Sequence, residues 1–211
     1  MARLFTAEIC PFAQRVRAVV VRLGITDIEL IEVDLADRDR ELLALSPTGR
    51  VPLLMDGKLK LYESAVVGEY LARKHGWDGA LSGDPVLAAR QRLLMDRWDQ
   101  VINPAWYRSL GDPAAFDRRV KERVARELDE MELTVAMMSG AVDNLVALHC
   151  APFWARMDWL RRHSPLPGLV DARAGFRAWL DEAIRMPEIA ATLPEREWAV
   201  RRYESAYVAK G

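Results

Sequence analysis

The chain has 211 residues, 51% of them hydrophobic, with 30 Lys and Arg set against 31 Asp and Glu for a formal net charge of −1. That balance excludes the basic footprint of a nucleic-acid binder, and the length suits one large domain or two small ones with real cores. No apolar run approaches a membrane span, and "MARLFTAEIC" lacks the apolar core of a signal peptide.

Two distant cysteines, Cys10 and Cys150, argue against a disulfide scaffold and for a reducing cytoplasm. His75, His149 and His163 are scattered without metal-ligand spacing, so no metal site is expected.

In chain order, "RLFT" is a short predicted strand. From Phe12 onward Val16, Val19, Val20 and Leu23 recur at helical spacing, with Gly24 as terminator. "IELIEV" alternates and is β-branched, which predicts a second strand. "DRDRELLALS" is a short helix ended by Pro47 and Gly49. "VPLLMDGKLKLY" is two strands joined at Asp56-Gly57, and "ESAVVGEYLARKHG" is a helix. The first half of this order is a βαβ unit with a right-handed crossover, to which the hairpin adds an antiparallel edge.

Composition then changes. "GWDGALSGDP" reads as a linker, and all seven tryptophans lie from Trp77 onward. Helical patterns follow through Leu87, Leu94, Trp98 and Val101, then Phe116 to Met131, then Leu145 to Phe153, then Phe176 to Ile184. Asp112-Pro113 is a predicted helix start and Pro187 a predicted stop. The expected organisation is an α/β domain over 1–76, a linker over 77–85 and an all-helical domain over 86–211.

The strand-turn-helix context places Cys10 at the N-cap or first turn of a helix, with Pro11 at the first helical position. Free N–H groups and the helix dipole favour a negative charge there, and a thiolate is such a charge. Arg15 and Arg17 add positive potential from solvated positions one turn on. The alternative is a cysteine serving as a small buried hydrophobe. Ala13 stands where a Cys-x-x-Cys pair would need its second thiol, so internal disulfide cycling is excluded. A monothiol nucleophile needs an external thiol to resolve its mixed disulfide, which points to a small thiol cosubstrate.

Two further stretches fit. Pro52, directly after Val51, predicts an edge or a cis turn that leaves the Val51 backbone to pair with an extended ligand; a simple chain break reads equally well. Glu63 and Ser64 open a helix whose N-terminus can receive a carboxylate, although Ser64 by itself reads as an ordinary N-cap.

Together these stretches resemble the cytosolic glutathione transferases along nearly the whole chain. "CPFAQRVR" looks most like the omega class and its dehydroascorbate-reductase relatives, "GRVPLL" like the cis-proline segment, and "LYESAVVGEYL" like the γ-glutamyl helix; "TLPEREWAVRRYESAY" is similar to the omega-type tail. The resemblance implies a thioredoxin-like α/β domain followed by an all-α domain, usually as a homodimer. It implies that Cys10 forms a mixed disulfide with glutathione, the cosubstrate, and that Phe12 packs beside the tripeptide. Val51, with Pro52 in the cis form, would pair with the cysteinyl backbone, Glu63 and Ser64 would hold the γ-glutamyl end, and Arg38 would meet the glycyl carboxylate.

The segment "VAMMSGAVDNLVAL" departs from the family. Gly140, not Ser or Thr, stands three residues before Asp143, so the interior helix is expected to be capped differently. A second substrate is expected between the domains, near Trp106, Tyr107, Phe153 and Trp154, with Trp98 in the core and Cys150 structural. The leading expectation is a glutathione-dependent thiol transferase, with dehydroascorbate reduction related to it. Its rivals are a binding protein like stringent starvation protein A, which acts on RNA polymerase and lacks the cysteine, and conventional conjugation of glutathione to electrophiles.

Overall fold

The computed structural model describes residues 1–37 and 40–208. Among these, strands β1 (Ala2–Thr6), β2 (Ile28–Glu32), β3 (Leu53–Asp56) and β4 (Leu59–Tyr62) form one sheet in the order β2-β1-β3-β4. β1 and β2 run parallel across helix α1 (Pro11–Arg22), and β3 pairs antiparallel with both β1 and β4. The tight β3–β4 turn uses Gly57 at φ 59°, a left-handed conformation that glycine adopts without steric cost.

The two-residue period of the strands decides the layers. Leu4 and Leu54 face α1 and helix α3 (Ser64–Lys74), within the main core. Phe5 and Leu53 face the opposite way, into a smaller cluster with Val33, Val51 and Leu42 of helix α2 (Arg40–Leu45). Cys10 packs against that smaller cluster. At Gly68 a Cβ would come within 3.3 Å of Leu145 and 3.7 Å of Val19, so the missing side chain is what lets α3 approach its neighbours so closely.

After α3 the described chain is helical. Helix α4 (Pro85–Arg97) runs through a π turn (Trp98–Ile102) into α5 (Asn103–Gly111). Helix α6 (Arg118–Met137) buries Val124, Leu128, Met131 and Val135 along one stripe. Helix α7 (Leu145–Trp159) is buried on every side, as expected of a segment apolar all round, and forms the centre of this half. Helices α8 (Leu166–Asp171), α9 (Ala174–Ala183), α10 (Pro187–Ala190) and α11 (Arg196–Tyr203) surround it, and a C-terminal π turn (Glu204–Val208) closes the described chain. No described helix is long and apolar enough to cross a membrane.

Two local expectations change and a third, an altered cap on the interior helix, is met. Asp112-Pro113 opens only a 3₁₀ turn; α6 begins after Asp117, whose carboxylate accepts the Val120 N–H at 2.9 Å. Pro187 starts α10 instead of stopping α9, because a residue without an N–H fits a first helical turn. Asn144 caps α7, accepting the Ala147 N–H at 3.0 Å, while Asp143 turns outward to pair with Arg22. Replacing Asn144 with Ala therefore costs about 1 kcal/mol of stability, read as a lowered urea midpoint at unchanged slope.

Candidate functional site

Cys10 is the N-cap of α1, in extended backbone (φ −79°, ψ 116°) with Pro11 next. Its sulfur makes no side-chain cap hydrogen bond, although the Phe12 and Ala13 N–H groups of the first turn favour its thiolate. Two buried arginines flank it. Arg17 donates to Thr6 Oγ1 and the Ala7 carbonyl, both at 2.9 Å, and so ties α1 to the end of β1. Arg156 of α7 donates to Gln14 Oε1 at 2.6 Å, to the Pro152 carbonyl at 2.7 Å and to the Ile9 carbonyl at 3.2 Å.

These arrangements act on the thiol in opposite directions. Burial is the largest influence and pushes the Cys10 thiol up; the Ala13 and Phe12 N–H groups, Arg156 and Arg17 pull it down without cancelling the rise. The helix start and the arginines thus favour the thiolate while burial opposes it. The residue keeps partial exposure at its surface although its wider surroundings are protein. Access is set by the first property and proton affinity by the second.

A cleft of about 500 Å³ lies beside this helix start. Its walls include Phe12, Val51, Pro52, Glu63 and Ser64, joined by Arg50 and, from the helical half, Asp99 and Gln100. The Val51–Pro52 peptide is cis. Glu63 precedes α3 at φ 68°, a conformation uncommon for a residue with a side chain, and it makes no side-chain cap. Ser64 is the first helical residue and not the N-cap. Cys10 is not part of the cleft lining, and Arg38 lies outside the described residues. Among those residues no group of three or more His, Cys, Asp or Glu is gathered for a metal.

Behind the cleft sits a buried polar junction. Arg15 donates to Asp99 through two nitrogens, at 2.7 and 3.1 Å, to Ser64 Oγ at 3.0 Å and to the His149 carbonyl at 2.7 Å. Its guanidinium also lies over Phe12 and Phe153, 5.0 and 4.6 Å from the ring centroids. Burial pushes the Asp99 carboxyl up, but Arg15 and His149 overcome it and hold the group well below the usual carboxylate range. Burial, then Arg15, push the His149 imidazole down; its Nε2 lies 3.2 Å from Asp99 without hydrogen-bond geometry.

Arg15 and Arg17 are thus interior residues and not solvated ones. Trp106, Phe153 and Trp154 are fully buried, so of the expected second-substrate residues Tyr107 alone keeps partial exposure. Trp98 and Cys150 are core residues, as expected. Sequence reading gave no site role to Asp99, His149 or Arg156. One signal was available: His149 and Arg156 stand seven residues apart, on one face of an otherwise apolar helix.

Residues 4–80 match the family model described as the glutathione S-transferase N-terminal domain. The chain is 26% identical to glutathione S-transferase 3 of Zea mays over 90% of this chain and 92% of that protein. Its fold superposes on glutathione transferase Omega 2C from Trametes versicolor with a TM-score of 0.78, at 20% identity and 98% coverage of both chains. Residues 4–80 thus match the glutathione S-transferase N-terminal domain, and the chain as a whole has the glutathione transferase fold. It is also 31% identical to the stringent starvation protein A homolog of Haemophilus influenzae, over 63% of this chain and 60% of that one.

Arg15 is what holds Ser64 and Asp99 in the cleft wall. Arg15→Met leaves a partly buried carboxylate unpaired and destabilises the fold by about 3 kcal/mol in urea denaturation. The depressed Asp99 pKa makes its stabilisation present at neutral pH and lost as the pH falls through the folded-state value. Without Arg15 that value rises, so the variant's stability declines at a higher pH than the parent's in an acid titration followed by circular dichroism.

Proposed function

We propose that this protein is a glutathione-dependent thiol transferase of omega-like character in which Cys10 is the nucleophile. The observation that carries the reading is the grouping of Phe12, Val51, Pro52, Glu63 and Ser64 on one cleft beside the helix start that bears Cys10. Glutathione would lie extended in the cleft, its cysteinyl backbone paired with Val51 and its γ-glutamyl end at Glu63 and Ser64. Arg50 is a cation on the same wall for the glycyl carboxylate, the role the sequence assigned to Arg38.

In the reaction, the Cys10 thiolate attacks the glutathionyl sulfur of a mixed disulfide, the new S–S bond forms, and the other thiolate departs and is protonated. The thiolate of a free glutathione then attacks the enzyme-bound glutathionyl sulfur, giving glutathione disulfide and restoring Cys10. Dehydroascorbate is a second oxidant class with a different first half. The Cys10 thiolate adds to its carbonyl, a glutathione thiolate attacks the Cys10 sulfur so that the C–S electron pair leaves with ascorbate, and a second glutathione resolves the resulting mixed disulfide. Rate comes from holding glutathione in line with Cys10 and from the arginines that favour its thiolate. The reducing cytoplasm suits a free catalytic thiol, and we assign the protein there, as a homodimer.

Cys10→Ser lowers kcat/KM for glutathione-dependent reduction of a small mixed disulfide by about a thousandfold or more while glutathione still binds by calorimetry; full activity in this variant rejects the mechanism. The pH profile is a second check. Only the thiolate attacks, and burial favours the thiol, so kcat/KM of the wild type climbs with pH beyond the ordinary thiol range of about 8.5. A rate that is flat from neutral pH upward contradicts the assignment.

A second reading draws on the likeness to stringent starvation protein A homologs. A protein retained for binding another macromolecule would keep its role in a Cys10→Ser variant and would show no disulfide reduction in either form.

A further inference from the structure

The buried arginines of this protein differ in what answers their charge. Arg15 has the Asp99 carboxylate at 2.7 Å. Among the described residues neither Arg17 nor Arg156 pairs with a carboxylate; their acceptors are carbonyls, the Thr6 hydroxyl and the Gln14 amide oxygen. Between them they take the carbonyls of Ala7, Glu8 and Ile9, the three residues before Cys10. The Ala7 carbonyl also accepts the Cys10 N–H at 3.0 Å. Arg17 at least faces Glu32, which favours its charge. Arg156 is 0% exposed, and its Nε finds no hydrogen-bond partner. A buried cation without a counter-ion is costly, so an anion is wanted at this place.

We propose that the Cys10 thiolate is the counter-ion of Arg156, a positioning residue on the helical half that decides how readily this sulfur ionises. Contacts on both sides of Cys10 place it. Nη2 of Arg156 lies 3.2 Å from the Ile9 carbonyl oxygen, in the peptide plane that includes the Cys10 Cα. Covalent geometry therefore keeps the Cys10 sulfur within about 9 Å of that nitrogen in any rotamer. Nη1 lies 2.6 Å from Gln14 Oε1, one turn further along α1, so the guanidinium brackets the helix start. The direction of its influence agrees, because Arg156 pulls the Cys10 thiol down against burial.

Within the thiol-transferase reading, on which only this use of the ion pair rests, both half-reactions pass through it. The thiolate that attacks the mixed disulfide is the ion beside Arg156. Once Cys10 carries glutathione its sulfur is uncharged, and the guanidinium is unanswered again. When a free glutathione thiolate attacks the glutathionyl sulfur, the electron pair of the breaking S–S bond returns to Cys10 and restores the pair. A leaving thiol that ionises readily departs faster, so the arginine assists this step too. The other titratable groups that act on the sulfur do not share the role. The Tyr107, Tyr203 and Tyr207 hydroxyls, from α5, α11 and the C-terminal π turn, are pushed up by burial and stay neutral where thiols ionise. Glu8 and Glu32 stand on the Arg17 side.

The test is a thiolate titration of the intact protein by ultraviolet absorbance, each variant read against the same variant carrying Cys10→Ser. Arg156→Gln keeps an amide and loses the charge; it is expected to move the Cys10 midpoint up by about one pH unit or more. Arg156→Lys keeps the charge and recovers most of that shift. Gln14→Met releases one tie of the loop but leaves the cation, and the midpoint stays close to that of the wild type. An unmoved midpoint in Arg156→Gln, or an equal shift in Gln14→Met, overturns the assignment. A second measurement needs no change at Arg156. Asp and Ser cap a helix start about equally well, so Cys10→Asp and Cys10→Ser differ there chiefly in charge. Cys10→Asp is expected to have a urea midpoint at neutral pH at least as high as that of Cys10→Ser. A lower one overturns the proposal, because no buried cation then answers the carboxylate. Neither measurement involves glutathione, so a protein that fails to reduce disulfides loses the thiol-transferase reading and leaves the ion pair standing.

Discussion

Four segments of this protein converge on one guanidinium. Arg15 leaves the middle of α1 and binds the first residue of α3, the π turn after α4 and the carbonyl of His149 in α7. An arginine buried this deeply is tolerated only if its charge is balanced and its donors are used, and Asp99 with Ser64 and the His149 carbonyl supply both. The consequence reaches the cleft, because two of these partners, Ser64 and Asp99, stand in its wall. The sheet half and the helical half are therefore fixed relative to one another at the place where a ligand would span them.

A second arginine does comparable work at the sulfur. Arg156 grips the Ile9 carbonyl and the Gln14 side chain on either side of Cys10, so a residue of the central helix holds the shape of the β1–α1 loop. With Arg17 it also supplies positive potential to a thiol that burial otherwise keeps protonated. Position and electrostatics come from the same side chains. A change that loosens the loop therefore also alters the proton affinity of the sulfur.

The packing that permits this is ordinary in kind. α7 is buried from Leu145 to Met157 and apolar there except for His149 and Arg156, so it offers neighbours in every direction. α3 reaches it through the space left by Gly68. The buried guanidiniums sit at these junctions, while other buried polar groups, such as the Ser109 and Ser164 hydroxyls, pair with one another elsewhere. Where a ring packs nearby, as Phe153 does beneath Arg15 and beside Phe12, apolar burial and cation–π attraction act on the same atoms.

Much was legible in the sequence by local rules. Period-two strands, the helix behind Cys10, the Asp56-Gly57 hairpin and the change to helical patterning after Trp77 each follow from neighbours a few residues apart, and the expected residues that the cleft gathers, Phe12, Val51, Pro52, Glu63 and Ser64, stand in three short stretches. The sequence alone determined which segments form helices and strands and placed a cysteine at a helix start. What it left open involves distance in the chain. Arg15 and Asp99 are 84 residues apart, and Arg156 and Gln14 are 142 apart. Local patterning reads an arginine as solvated, and only the tertiary structure decides whether a carboxylate or a carbonyl arrives to let it stay inside. The same holds for the thiol, whose charge preference depends on how much protein closes around it.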